Sequence, residues 1–557
     1  MARPLPEACD VLVVGTGAGG MAAAFAAAAA GLDVCLVEKE KVVGGSTALS
    51  GGVIWAPGNH VFAGPREADP ADAALTYLRA EAGNRLDEEL ARRFLAEAPR
   101  VLDVLATQAG LRLVAPVYPD YHPGLPGWSA GGRAVRLAPF DGRLLGRDLA
   151  LLRQPLPSMT LLGGMMVSAE DIAPLSQATR SAQAALTASR LVARYAADRL
   201  RHGRATRLTN GNALAGALLH ALLGRGVRPF TGTTLEEVLL EEGRVAGAVL
   251  MHAGARHRLR TRRGVVLATG GVPHDAALRE ELGLAGVGPS LAPAGSTGDG
   301  VRAARHAGGA LNGDVVSPIA WVPVSDVPCA GGGSTPHPHF FDRSKPGFII
   351  VDRTGKRFAS EALSYHDLGP LVAQRPRGEA FLIGDARAVR RHGIGAARPW
   401  PATNTALRRV GYLTREATPE ALAGRLGIDT VGLARTLASW NAHAQRGEDP
   451  VFAKGTDAYQ RHIGEAGHTP NPCIAPIVEP PFFAVRLRAG DIGTFAGLRV
   501  NRHAQVLRAD GTAISGLHAA GNDMASVMGG TYPGPGITLG PALTFGVLAG
   551  EYLVSAK

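Results

Sequence analysis

The chain has 557 residues, 46% of them hydrophobic and 19% charged. That length calls for two or three domains and that balance excludes a disordered or fibrous chain. The formal net charge of +10 comes mostly from arginine, with no Lys/Arg-rich run and no nucleic-acid motif, so nucleic acid is excluded as the expected partner; a solvated basic surface or contact with an anionic membrane surface remains.

The four cysteines, Cys9, Cys35, Cys329 and Cys473, are far apart and form no CxxC, so neither a metal site nor a disulfide framework is indicated. No basic segment, apolar run and cleavage site follow one another at the start, and the apolar stretch "MAAAFAAAAAGL" is too short to span a bilayer. The expected location is cytoplasmic, soluble or peripherally attached to a membrane.

In chain order, "DVLVVG" (10–15) reads as a parallel strand buried on both faces. The spacing G-x-G-x-x-G follows as Gly15, Gly17 and Gly20, with Ala18 a further cofactor-binding candidate and a helix after the loop. Gly15 serves the tight turn, Gly17 the approach of a pyrophosphate and Gly20 the packing of helix on strand. The helix N-terminus offers unpaired N–H groups and a positive dipole end to phosphates. A second strand, "DVCLVE", ends at Glu38 before Lys39, where a carboxylate accepts the hydroxyls of an adenosine ribose. Strand, loop, helix and acid at this spacing predict a dinucleotide.

Later loops favour a flavin over a nicotinamide. "GGSTALSGG" (44–52) supplies Gly45, Ser46, Thr47, Ser50, Gly51 and Gly52. "GVVLATGG" (264–271) ends a further apolar strand in Ala268, Thr269 and Gly270, and "STGDG" (296–300) adds Asp299. "GLHAAGND" (516–523) places Gly521, Asn522 and Asp523 after a late strand, and Leu539 follows in the last loop. Together these segments resemble the fumarate reductase/succinate dehydrogenase flavoprotein superfamily. The resemblance implies an α/β fold, with a doubly wound Rossmann-like FAD-binding domain and an inserted α+β catalytic cap. Members that bind flavin covalently use a histidine in the loop after the acidic residue; Ser46 and Thr47 stand there, which implies non-covalent FAD.

The cap segment "SKPGFIIVDRTGKRFASEALSYHD" (344–367) lacks the Arg-Gly-Glu run of dicarboxylate reductases and ends in Tyr365. A pocket of phenols suits a mostly apolar ketone. "TYPGPGITLGPALTFG" (531–546) is similar to the C-terminal signature of 3-ketosteroid Δ1-dehydrogenases. That resemblance assigns Tyr532 and the Gly536 N–H to the ketone oxygen and Tyr365 to proton abstraction. "YPDYHPGLPGWSAGGR" (118–133) is similar to the segment that supplies an assisting phenol, with Tyr121 the candidate and Tyr118 its rival. Pro533 and Pro535 stiffen the late loop and Pro541 opens the final helix. His122 and His366, beside the phenols, read as surface or supporting residues.

Residues 155–207 depart from this pattern. "SAQAALTASRLVARYAADRLRHGRATR" predicts an amphipathic helix with Leu186, Leu191, Tyr195 and Leu200 on one stripe, and with arginines available to anionic lipid. Related cyclohexanone dehydrogenases look similar here, which makes Tyr195 a competing proton acceptor. The expected domains are 1–290 with 485–557 for FAD, carrying the insert 155–207, and 291–484 for the cap. The implied reaction is α,β-desaturation of a cyclic ketone, a 3-ketosteroid first and a monocyclic ketone such as cyclohexanone second. The hydride goes to flavin N5, and the electrons leave to an external acceptor, a quinone or other, because no haem or iron–sulfur motif is present. Fumarate or ene reduction is the reverse class.

Overall fold

The computed structural model describes residues 3–62, 71–178, 181–329, 331–399 and 403–555. The chain opens with β1 (Ala8–Val14), α1 (Ala18–Ala29) and β2 (Val34–Glu38). It continues through α2 (Ala71–Ala82), α3 (Glu88–Gln108), α4 (Ala169–Gln177), α5 (Ala182–His202) and α6 (Asn210–Leu223). Strands β3 (Phe230–Thr231), β4 (Thr233–Glu241), β5 (Arg244–His252) and β6 (Ala255–Leu267) complete this part.

A second group follows: β7 (Ile319–Pro328), β8 (Ser334–Pro338), β9 (Phe348–Val351), α7 (Tyr365–Ala373), β10 (Glu379–Gly384) and β11 (Thr414–Glu416). Helices α8 (Thr430–Ala444) and α9 (Ala458–Ile463) and strand β12 (Phe482–Thr494) end it. The chain then returns to the first group as β13 (Gln505–Leu507), β14 (Ala513–Ala519) and α10 (Leu539–Ser555).

The first sheet runs β3-β2-β1-β6-β5-β4, with β14 against β6 and β13 against β14. Val11 to Val14 are apolar without alternation because both faces are covered and β1 pairs in parallel with β2 and β6. Val14 stands opposite Val37 and Leu267, and Leu267 opposite Ala519. The loops that begin at Gly15, Ala268 and Ala520 therefore leave one edge of the sheet side by side. In open parallel sheets, ligands bind at that carboxyl edge.

The second sheet is antiparallel, in the order β8-β7-β12-β10-β9, with β11 also on β12. Its alternation is the ordinary two-residue period of a strand. Ile349 and Val351 face one apolar layer with Trp440 of α8, while Phe348 and Ile350 face another with Leu368 and Val372 of α7. The sheet thus holds α7, and with it Tyr365, on one face. Strand β12 pairs with cap strands over most of its length, so the domain boundary expected at 485 falls inside it.

Two local expectations shift. The final helix begins at Leu539, before Pro541, because Gly540 N–H already donates to Gly536 O at 3.0 Å. Pro541 still sits in the first turn, where its missing N–H leaves no intrahelical bond unmade. The predicted helix in 181–207 is α5, but Leu186 (52% exposed) and Leu200 (89%) face outward, and its buried residues are Ala184, Tyr195 and Asp198. Asp198 sets that face, accepting from the Thr206 N–H at 2.9 Å and the Thr206 hydroxyl at 2.8 Å. Among the described residues no helix is long and apolar enough to cross a membrane.

Gly15 carries the tightest constraint at the sheet edge. Its φ is +105°, and a Cβ there would lie 2.1 Å from Ala268 O. Gly15→Ala is expected to cost at least about 1–3 kcal/mol from backbone strain alone, with the β1–β6 contact forced apart in addition. A denaturant titration showing an unchanged midpoint would contradict this reading.

Candidate active site

A cleft of about 1520 Å³, counting its open mouth, runs from the carboxyl edge of the first sheet to the face of the cap. One end is polar. Here Glu38 accepts from Thr16 N at 3.1 Å, from Thr16 Oγ1 at 2.5 Å and from Glu40 N at 3.0 Å. Burial raises its pKa, and the Thr16 bonds pull it back. Lys39 Nζ reaches Asp299 Oδ2 at 2.8 Å and Thr297 Oγ1 at 2.5 Å, and Arg153 is ion-paired with Glu40. Gly17 caps α1 without a side-chain bond, and the Ala18 N–H donates to Thr47 Oγ1 at 2.9 Å. Anionic groups placed here would meet the positive end of α1.

The sequence-predicted cofactor residues divide by position. Gly15, Gly17, Ala18, Glu38, Lys39, Gly45, Ser46, Thr47, Ser50 and Gly51 all line the cleft. So do Ala268, Thr269, Gly270, Asp299, Gly521, Asn522 and Leu539. Gly20, Gly52 and Asp523 stand behind the wall. Gly20 packs on Gly15 O and Gly52 on the Asn210 backbone. Asp523 is fully buried and accepts from Thr269 N at 2.6 Å, Thr269 Oγ1 at 2.9 Å and Gly271 N at 2.8 Å. It ties the loops after β6 and β14 together. An elongated cleft with one nucleotide-type end, a side-chain-free helix terminus at its middle and an aromatic far end fits an extended FAD.

The far end is built from phenols. Tyr365 opens α7 behind the N-cap Ser364, whose hydroxyl accepts from Asp367 N at 3.2 Å. The Tyr121 hydroxyl donates to the Tyr365 hydroxyl at 3.2 Å. The Tyr532 ring meets Tyr365 edge-on at 5.1 Å and stacks on Tyr121 at 5.6 Å. Tyr365, Tyr532 and Phe340 face the cleft, and Tyr121 lies behind Tyr365. The late loop is held to the Tyr121 segment through one carbonyl, Pro533 O, which accepts from Tyr121 N at 2.8 Å and the Tyr77 hydroxyl at 2.9 Å. Burial raises the pKa of all three cluster phenols: Tyr532 to about 12, Tyr121 and Tyr365 well above the ordinary phenol value.

Gly536 has φ +94°, and a Cβ would stand 2.6 Å from Trp55 N. Its carbonyl accepts from Trp55 N at 3.1 Å, while its own N–H finds no acceptor among the described residues. Gly536 therefore stands in a rigid loop four residues after Tyr532, but unlike Tyr532 it is not among the residues that line the cleft.

Tyr195 is placed elsewhere. Its hydroxyl donates to Leu162 O at 3.2 Å, and it lines a small separate cavity with Met165, Met166 and Leu191. As a competing proton acceptor it is therefore not brought to the phenol cluster. Tyr118 packs edge-on against His462 at 5.7 Å. His122 bridges Glu81 of α2 and Asp367 of α7, the latter at 2.8 Å. Burial opposes its charge, but those two carboxylates outweigh it and lift its pKa to about 10. His366 rests against Tyr532 at 5.8 Å, and burial lowers its pKa to about 4. Sequence reasoning missed Arg153 and Phe340, which line the cleft, and Tyr459, whose ring packs on Tyr121; all are single residues in stretches without a motif.

The family described as FAD binding domain matches residues 10–539. The chain is 38% identical over 98% of its length to the 4-oxocyclohex-2-ene-1-carboxylate 5-dehydrogenase of Sinomonas cyclohexanicum, covering 93% of that protein. It is 34% identical to the 3-oxosteroid 1-dehydrogenase of Mycobacterium tuberculosis, covering 98% of both. The crystal structure of 3-ketosteroid delta1-dehydrogenase from Sterolibacterium denitrificans with 1,4-androstadiene-3,17-dione superposes with a TM-score of 0.90 at 35% identity, covering 99% of this chain and 100% of that one. With a family match over most of its length and relatives of this identity, the chain belongs to the FAD binding domain family, as a flavoprotein oxidoreductase of the dehydrogenase type.

Proposed function

We propose that the protein desaturates the α,β bond of a cyclic ketone, with a 3-ketosteroid as substrate and a Δ1 double bond as product. The observation that carries this reading is the convergence of Tyr365 and Tyr532, backed by Tyr121, at the aromatic end of a cleft whose other end fits a dinucleotide, with Gly536 four residues after Tyr532 in the same rigid loop. Tyr532 and Gly536 hold the carbonyl oxygen and favour the enolate as its charge develops. Tyr365 takes the α proton, and Tyr121 supports the phenolate through their hydrogen bond. Bound FAD supplies the two-electron oxidant for the β carbon–hydrogen bond. The electrons then leave to an external acceptor such as a quinone.

Charge supports a neutral substrate. The charged side chains lining the cleft, among the described residues, are Glu38, Lys39, Glu40, Arg153 and Asp299. All belong to the nucleotide end, and Lys39–Asp299 and Arg153–Glu40 are already paired. Among the described residues, a substrate carboxylate near Tyr365 would find no cation in the wall. The second reading, a monocyclic oxo-acid or cyclohexanone-type ketone, is favoured by the 38% identity to the Sinomonas dehydrogenase.

Steady-state rates with an artificial acceptor on a 3-ketosteroid, cyclohexanone, 4-oxocyclohexanecarboxylate and fumarate separate these readings. The steroid should give the highest kcat/KM; a preference for the oxo-acid would replace it with the second reading. Tyr532→Phe is expected to lower kcat about 10²–10³-fold, the usual effect of losing one oxyanion donor. Exchange of the ketone's α protons with deuterated water, without an electron acceptor, should disappear in Tyr365→Phe and only slow in Tyr532→Phe. Exchange that survives Tyr365→Phe would show that another group is the base.

The working form of the base is the phenolate, and burial raises the Tyr365 pKa. The active fraction therefore grows with pH, and exchange should accelerate from neutral to alkaline pH. A flat profile across that range would contradict a tyrosine base.

A further inference from the structure

The residue after Tyr121 joins the two halves of the molecule through its side chain, and the proposed reaction gives it no task. His122 Nδ1 bonds a carboxylate oxygen of Glu81 in α2, and its Nε2 bonds Asp367 Oδ2 in α7 at 2.8 Å. An ionised carboxylate only accepts hydrogen bonds, so an imidazole held between two of them donates from both nitrogens and carries a positive charge. Asp367 Oδ2 also accepts from the Ser364 hydroxyl at 2.7 Å. Burial works against the charge on Asp367, but the His122 and Ser364 bonds outweigh it and hold its pKa below the ordinary carboxylate value. The Glu81 side chain is only 5% exposed, so without the imidazolium its charge would be buried and unpaired at that contact.

The same residue is held by its main chain. The His122 N–H donates to the Tyr77 hydroxyl at 3.1 Å, and that hydroxyl donates to Pro533 O, the carbonyl that also accepts from Tyr121 N. On the cap side, Asp367 lies two residues after Tyr365 in the first turn of α7, and its N–H donates to the N-cap Ser364 at 3.2 Å. A grip on Asp367 is therefore a grip on the turn that aims Tyr365. The phenol pair needs one. At 3.2 Å the Tyr121–Tyr365 bond lies beyond the usual O–H···O range of about 2.5–3.0 Å. A neutral bond of that length holds two rings in register weakly, whereas charge-assisted bonds are about twice as strong as neutral ones. The titratable groups facing His122 are Glu81 and Tyr77 of α2 and Asp367 and His366 of α7. His366 accepts from Trp321 N at 3.2 Å and is held neutral by burial, so it does not compete with the imidazolium for the carboxylates.

We infer that His122 is a positioning residue, an imidazolium clasp between Glu81 of α2 and Asp367 of α7 that holds the Tyr121 and Tyr365 hydroxyls in register for α-proton abstraction. This rests on the assignment of Tyr365 as the base. His122 does not line the cleft and moves no proton itself. Its loss therefore slows the proton step and leaves flavin binding at the nucleotide end and ketone binding at Tyr532 in place.

Two measurements on the flavin-loaded enzyme test this. In protein carrying 15N-labelled histidine, the His122 ring is identified by its loss in His122→Gln or its shift in Glu81→Gln. At pH 8.5, about two units above the ordinary histidine pKa, both of its ring nitrogens should carry protons; a ring with a single proton at that pH overturns the inference. In kinetics with a 3-ketosteroid, His122→Gln should slow kcat and α-proton exchange about tenfold or more, since misplacement by about 1 Å can cost about a hundredfold. KM should stay within about threefold of wild type, with full flavin content. Glu81→Gln, which weakens the clasp from its far side, should slow exchange about threefold, and the double variant should be no slower than His122→Gln alone. Losses that multiply in the double variant, or a fall in flavin content and a rise in KM that accompany the fall in kcat, would mean a general structural role and overturn it. Should His122→Gln not fold, Glu81→Gln decides the kinetics alone, and exchange at the wild-type rate in that variant overturns the clasp. Tyr365→Phe keeps the two claims apart. Exchange surviving in that variant defeats the base assignment, whereas its loss together with unslowed exchange in His122→Gln defeats only the role of His122.

Discussion

The 3.2 Å hydrogen bond between the Tyr121 and Tyr365 hydroxyls is the contact on which the site depends. It joins the segment that follows α3 to the helix on the cap face, across 244 residues of chain. Tyr532 closes the cluster from a third segment, stacked on Tyr121 and edge-on to Tyr365. None of these segments can move alone. The Pro533 carbonyl ties the late loop to Tyr121 and Tyr77, and His122 ties the same region to Asp367 of α7. Cap and first domain are thus registered by the residues proposed to do the chemistry.

Electrostatics divide the cleft along its length. Charged side chains gather where a nucleotide is held and pair with one another. The other end is aromatic, and its donors are phenol hydroxyls. In so dry a setting a carbonyl oxygen gains more from two fixed donors than it would in water. The same dryness works against the base, because a buried phenol resists ionisation.

Much of this was legible in the sequence, and the reason is local. Gly15, Gly17 and Glu38 sit in a strand–loop–helix–strand unit whose spacing is dictated by backbone geometry, and the structure puts them on one wall. Tyr532 was singled out by the resemblance of its loop to a family signature, and it lines the same cleft, whereas Gly536 of that loop does not. Gly20, Gly52 and Asp523 carry the same glycine and acid signals, yet they stand behind the wall: sequence marks a tight backbone without saying which side a ligand takes. Tyr195 was misplaced for a related reason. Helical periodicity sets which residues share a face, but Asp198 and its Thr206 bonds decide where that face docks. Tyr459 gave no signal, because burial of a lone polar residue arises only from tertiary packing.

The central claim is that the phenol cluster is a carbonyl and proton-abstraction site. A crystal structure of the flavin-loaded Tyr365→Phe variant with a bound 3-ketosteroid tests it most directly. The account predicts the ketone oxygen within about 2.7–3.2 Å of both the Tyr532 hydroxyl and the Gly536 N, with the α carbon facing the edge of the substituted ring at position 365. A ketone oxygen turned away from Tyr532, or bound by any other donor pair, would contradict it.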